Sequence, residues 1–265
     1  MARTVVQTAF SLRKMLDDIS LVYESRTPAL FLHADGRGLC RTGALAILEL
    51  HIDAPNCSHT YLVHVHFLED RAFTTLSTNG QYTLKAILED PTIPKVFFDV
   101  RMDADALYAQ YDITLAGIID LQLMELSARA KRDGGSDGRL HSLETCFDND
   151  SAMNPAEVAR FKSFRNRGKA RWDPALGGSY DVFELQSLSQ EILAYCEANV
   201  QAMPRLFEVY NSRLDGKMEL TEKDDFHACR ILSASRNRVI MAQGPPRPAS
   251  SLGPWNDWNG GYWTL

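Results

Sequence analysis

Apolar positions along the chain fall into short runs that read as strands, alternating with stretches in which they return every three or four residues and read as helices. "TVVQTAF" and "ALFLHAD" are predicted as the first two strands. They flank "SLRKMLDDIS", where leucine and methionine recur at helical spacing and Ser11 is placed to cap the first amides. "ALAILELHI" and "TYLVHVHF" follow, joined by a polar turn with Asp53, Pro55 and Asn56 in an antiparallel hairpin pattern. "TLKAILED" predicts a short helix ended by Pro91, "KVFFDV" a strand, and "DADALYAQY" a helix with Asp103 in its first turn, where a carboxylate suits the dipole. "AGIIDLQLMELSARA" predicts a buried strand passing into a helix, and residues 132–154 a polar loop around a short helical "RLHSLETCF". Leu188, Ile192, Tyr195, Asn199, Met203 and Leu206, spaced by three and four, predict one long amphipathic helix kinked at Pro204. The closing "GPPRPASSLGPWNDWNGGYWTL" predicts an irregular tail pinned against the domain by its aromatic residues.

Two titratable residues interrupt the second strand. His33 and Asp35 lie two apart in "FLHADGRG" and so point to one face near the strand's C-terminal end, where α/β proteins place their sites. With 265 residues, 45% of them apolar, the chain can bury a sizeable core, and an α/β class follows from the alternation of elements. No run approaches the roughly 18–20 apolar residues of a membrane helix, and "MARTVVQTAF" lacks a signal-peptide pattern, so the expected location is the cytosol, or alternatively the nucleus. The five cysteines are widely spaced without a C-x-x-C pair, which argues against a disulfide framework and a zinc site. Cys40 and Cys196 read as small apolar residues rather than nucleophiles, and His64 and His66, alternating on "VHVHF", read as structural for want of an acidic partner at ligand spacing.

A net charge of −6 repels phosphate overall, so nucleic-acid binding needs a local basic groove. "RFKSFRNRGKAR" supplies one. It gathers Arg160, Lys162, Arg165, Arg167, Lys169 and Arg171 around two phenylalanines and a glycine, a composition suited to phosphate contacts from a loop; the alternative is a solvated helix face followed by a turn.

Three stretches, in order, resemble the motifs of the DEDDy 3′-5′ exonucleases, the RNase H-like family that includes ribonuclease D and the Egalitarian-type domain. "LHADG" resembles the first, D-x-E-G, with His33 at the family's aspartate and Asp35 at its glutamate. "KVFFDVRMDADALY" resembles the second, carrying Asp103 as its carboxylate, and "LAYCEANVQ" the third, Y-x-x-x-D, with Tyr195 at the tyrosine and Asn199 at the aspartate. "GGSYDVF" and "LMELSAR" are similar to fungal versions of the domain. The resemblance covers about residues 4–215 and implies an α/β fold with an RNase H-like mixed five-stranded sheet flanked by helices. Residues 1–215 would form the exonuclease-like domain, and 216–265 a helical segment and irregular tail packed on it.

In that family four carboxylates hold two divalent cations. With two of the four replaced by imidazole and carboxamide, magnesium or manganese would serve only a residual nuclease, and the expectation is a pocket without cofactor or metal formed by His33, Asp35, Asp103, Tyr195 and Asn199. Asp99 and Asp105 are expected to point elsewhere. The partner expected for such a groove is RNA, specifically the 3′ end of aminoacyl-tRNA. Two functions follow from it. The leading one is acyl transfer between aminoacyl-tRNAs to form an arginine-containing cyclic dipeptide, since the chain also resembles the fungal arginine-containing cyclodipeptide synthases. His33 would then act as base, Tyr195 and Asn199 would orient the ester, and Asp35, Asp103 or Glu197 would hold the arginyl guanidinium. The alternative is a degenerate exonuclease, a weak nuclease or a protein that grips single-stranded 3′ ends without cutting, with bases stacked on aromatic rings and phosphates tracked by arginine and lysine.

Overall fold

The computed structural model describes residues 2–22, 28–135, 138–151, 153–216, 218 and 225–244. Strands β1 (Ala2–Val6), β2 (Leu30–Arg37), β3 (Ala44–Ala54), β4 (Cys57–His64), β5 (Lys95–Phe97) and β6 (Ile118–Asp120) form one mixed sheet in the order β1-β4-β3-β2-β5-β6. β2, β3 and β4 are antiparallel neighbours, while β1 joins β4, and β5 and β6 extend β2, in parallel. The sheet therefore has six strands and not five. Six matches the number of strand runs read from the apolar pattern, including "TVVQTAF", which becomes the edge strand β1; five was the count implied by the resemblance.

The helices are α1 (Ala9–Ser20), α2 (Val65–Leu68), α3 (Arg71–Thr74), α4 (Leu84–Glu89), α5 (Arg101–Tyr111), α6 (Leu121–Asp133), α7 (Leu143–Asp150), α8 (Pro155–Trp172), α9 (Gln190–Gln201), α10 (Met203–Arg213) and α11 (Phe226–Ala242). Alternation along β2 and β3 divides the core. Leu30, Leu32, Ala34, Leu48, Leu50 and Ile52 face α1, α4 and α5, whereas Phe31 and Ile47 face α6, α9 and α10. The site lies on the second face.

Several sequence expectations change. α1 is capped by Thr8, and Ser11 is its partner three residues on in a capping box. "VHVHF" ends as a helical turn, so His66 is not on a strand, and His64 is buried against the Leu185 carbonyl at 3.0 Å. The long helix is two, α9 and α10, meeting at Ala202, because Pro204 lacks the N–H an interior position needs and is tolerated only in a first turn. Of the two readings of the basic stretch the helix holds: it is α8, opened by an Asn154–Glu157 capping box with Pro155 at its first position. α11 packs on α5, β6 and α6. Residues 245–265, where the pinned tail was expected, lie outside the described residues.

Candidate functional site

Strands β2 and β3 make the floor. Glu49 pairs directly opposite His33, so His33, Asp35 and Glu49 share one face. His33 Nδ1 lies 3.5 Å from Glu49 Oε2 and 3.9 Å from Asp35 Oδ2. The pairing shifts by a bulge between Asp35 and Gly36, where the backbones approach so closely that a Cβ on residue 36 would stand 1.9 Å from the Ala44 carbonyl oxygen. Above this floor runs α9, whose Tyr195 and Asn199, four apart, lie on one helical side.

Asn199 is fully buried and joins the groups. Its Oδ1 accepts a short hydrogen bond from Arg165, which fixes the amide's orientation. Nδ2 consequently donates to Asp35 Oδ2 at 3.3 Å and to Glu49 Oε1 at 3.4 Å. The Arg165 guanidinium reaches in from α8 over the rings of Tyr195 and Phe161, at 5.5 and 5.7 Å from their centroids. Gly168 makes that reach possible. A Cβ there would lie 2.2 Å from Tyr195 Cβ, so α8 packs against α9 only because residue 168 has none.

Burial, followed by the adjacent charge of Asp35, pushes the Glu49 carboxyl well above the usual carboxylate range. Asp103, at the start of α5, is likewise raised by burial, which outweighs the backbone hydrogen bonds it receives. His33 exposes a quarter of its side chain, yet its Nδ1 is sealed from solvent; burial lowers its pKa despite Asp35, and Arg165 lowers it further, leaving the imidazole neutral. Burial also raises Tyr195 and Cys196, so Cys196 stays a thiol, while the half-buried Cys40 contacts the Thr42 hydroxyl at 3.3 Å. Four sealed polar atoms here lack a protein partner: His33 Nδ1, Glu49 Oε2, Asp103 Oδ1 and Arg165 Nε. Such unmet capacity is what a water, an ion or a ligand would satisfy.

The sequence pattern of the 3′-5′ exonuclease family matches residues 52–209, more than half of the chain. This chain belongs to that family. It is 34% identical over 116 residues to the Homo sapiens piRNA biogenesis protein EXD1, an alignment covering 44% of this chain and 20% of EXD1, so the chain spans about a fifth of that relative. Its fold superposes on Trypanosoma brucei RNase D in complex with GMP with a TM-score of 0.69 at 19% identity, covering 93% of this chain and 66% of the other. The complex of the same enzyme with RNA U12 gives 0.68 at 15% identity, covering 96% and 75%.

Within this family frame the structure gathers His33, Asp35, Asp103, Tyr195 and Asn199 in one pocket and adds Glu49, which sequence reasoning missed. His33, Asp35 and Glu49 each bring a ligand atom within 4.8 Å of the others, enough to approach one ion, but the family's pair of divalent cations does not fit. Asn199 turns N–H donors toward Asp35 and Glu49 where an ion needs lone pairs, and a guanidinium stands behind the amide. Asp99 and Asp105 do not restore the set. Asp105 is taken by Arg41, whose backbone N–H and Nε donate at 2.7 and 2.8 Å, and Asp99 pairs with Arg101. Glu197 lies outside the pocket, paired with Arg3 at 2.7 Å.

The basic run separates as a helix must. Arg165 turns inward, whereas Arg160 and Arg167 both lie 5.3 Å from the ring centre of Phe164, beside a cavity of about 560 Å³ between α8 and α9 that also touches Phe147 and Phe161. Lys162 pairs with Asp148 at 2.7 Å, Lys169 faces Asp173 at 3.8 Å, and Arg171 stands in the last turn of α8.

Proposed function

We propose that this exonuclease-like domain binds the 3′ region of single-stranded RNA and does not cut it. The observation that carries the reading is Asn199, whose amide occupies with hydrogen-bond donors the side of Asp35 and Glu49 that a catalytic cation would need. The pocket's unpartnered polar atoms and the arginine-flanked Phe164 beside it support a retained RNA path. RNase D, similar in fold, is seen with RNA U12, and EXD1 is named for piRNA biogenesis. Replacing Arg160 and Arg167 by alanine is expected to weaken RNA binding and to make its dependence on log salt shallower by about 1.4, two single-strand phosphate contacts' worth. Fluorescence anisotropy across a salt series measures both. An unchanged affinity and slope would remove α8 from the RNA path.

A second reading, acyl transfer on aminoacyl-tRNA yielding an arginine-containing cyclic dipeptide, draws on one observation. His33 is pushed toward its neutral form and Glu49 toward its protonated form 3.5 Å apart, which sets a base beside an acid. Arginine, ATP, arginyl-tRNA synthetase, tRNA and a second charged amino acid should then yield the product by mass spectrometry, abolished by ribonuclease. Its absence with every second amino acid would leave RNA binding alone.

A further inference from the structure

We infer that Arg165 is the resident cation of the pocket, standing in electrostatically for a metal ion and presenting its Nε–H to an oxygen of the bound RNA terminus. The carboxyl groups left from a metal-holding arrangement need positive charge in a buried setting, since an uncompensated buried charge is costly. Burial holds Glu49 and Asp103 toward their neutral forms, which leaves Asp35, whose charge acts on both Glu49 and His33, as the group to be balanced, and Asn199 connects Asp35 and Glu49 to Arg165 through a continuous hydrogen-bonded path. Everything about the placement of Arg165 serves that reach. Its α8 backbone comes against α9 through Gly168, its guanidinium lies over the rings of Phe161 and Tyr195, and one Nη is spent on Asn199. Nε remains, sealed from water and without a protein acceptor.

That donor needs an acceptor from outside the chain. A phosphate or terminal oxygen of RNA has the charge and geometry that a guanidinium edge recognises, and a lysine would supply the charge without that edge. The assignment of the ligand rests on the RNA-binding reading; the assignment of the charge does not.

The two are separable by experiment. Manganese binding, followed by loss of the free-ion electron paramagnetic resonance signal, is measured for the wild type, Asn199→Asp, Arg165→Met, and the double variants Asn199→Asp/Arg165→Met and Asn199→Asp/Arg165→Lys. Both side-chain exchanges at these positions are close in volume, and the methionine keeps the apolar stem over the rings. The double variant with methionine should bind manganese on the order of tenfold or more tighter than Asn199→Asp alone, because removing a neighbouring cation unmasks the carboxylates. The lysine version should stay as weak as Asn199→Asp. If Asn199→Asp alone binds manganese as tightly as the methionine double variant, Arg165 is not the resident cation. In the RNA arm, Arg165→Lys should lower affinity several-fold relative to wild type; equal affinity would overturn the Nε–H contact. A wild type that binds no RNA at all would defeat the RNA-binding reading while leaving the manganese comparison intact.

Discussion

Arg238→Met is expected to destabilise the protein by about 3–5 kcal/mol, the usual cost of leaving one member of a buried ion pair without its partner. Arg238 and Asp120 are 1% and 0% exposed, and the guanidinium donates to Asp120 at 2.5 Å and to Gln122 Oε1 at 3.1 Å. Methionine would keep the volume and delete the charge. Asp120 does more than close a pair. It accepts the backbone N–H groups of Asp99, Val100 and Gln122 at 3.0 Å each, thereby fixing the turn, with Asp99 at φ 61°, that launches α5 and sets Asp103 into the pocket. The variant should thus also lower RNA affinity, although residue 238 touches no part of the proposed RNA path. Urea unfolding measures the loss; a change below about 1 kcal/mol would mean that α11 does not secure this turn.

Much of this fold was legible from periodicity, and the exceptions have physical reasons. The strands with strong apolar runs, from "ALFLHAD" to "AGIID", form where expected, since burial on two faces demands such runs. α8 stayed open between loop and helix because its apolar residues are too few to draw a stripe among six basic ones; the Asn154–Pro155–Glu157 start signal was nevertheless present. The motif residues converge because i, i+2 on a strand and i, i+4 on a helix are rigid relations. Glu49 was missed for the opposite reason. A lone carboxyl in "ALAILELHI" was the available signal, but its meeting with His33 depends on a hairpin register that a bulge adjusts, and pattern alone does not fix that. Nor does a basic composition reveal which one of six side chains turns inward. For Arg165 that depends on Gly168 lying against Tyr195.

Loss of metal-dependent cutting is the other large effect expected. Two-metal hydrolysis needs one cation to generate the nucleophile and another to stabilise the leaving oxygen, so failure to hold the pair removes the reaction rather than slowing it slightly. Here an imidazole and an amide replace two of the motif carboxylates, Glu49 and Asp103 are held toward their protonated forms by burial, and Arg165 supplies the positive charge from within the chain. The same groups leave a polar pocket that has donors and acceptors for an RNA terminus. The most direct measurement incubates end-labelled single-stranded RNA with the protein in magnesium or manganese and resolves complex and length on parallel native and denaturing gels. The account predicts a retarded complex containing full-length RNA; progressive 3′ shortening that disappears in Asp103→Ala would contradict it.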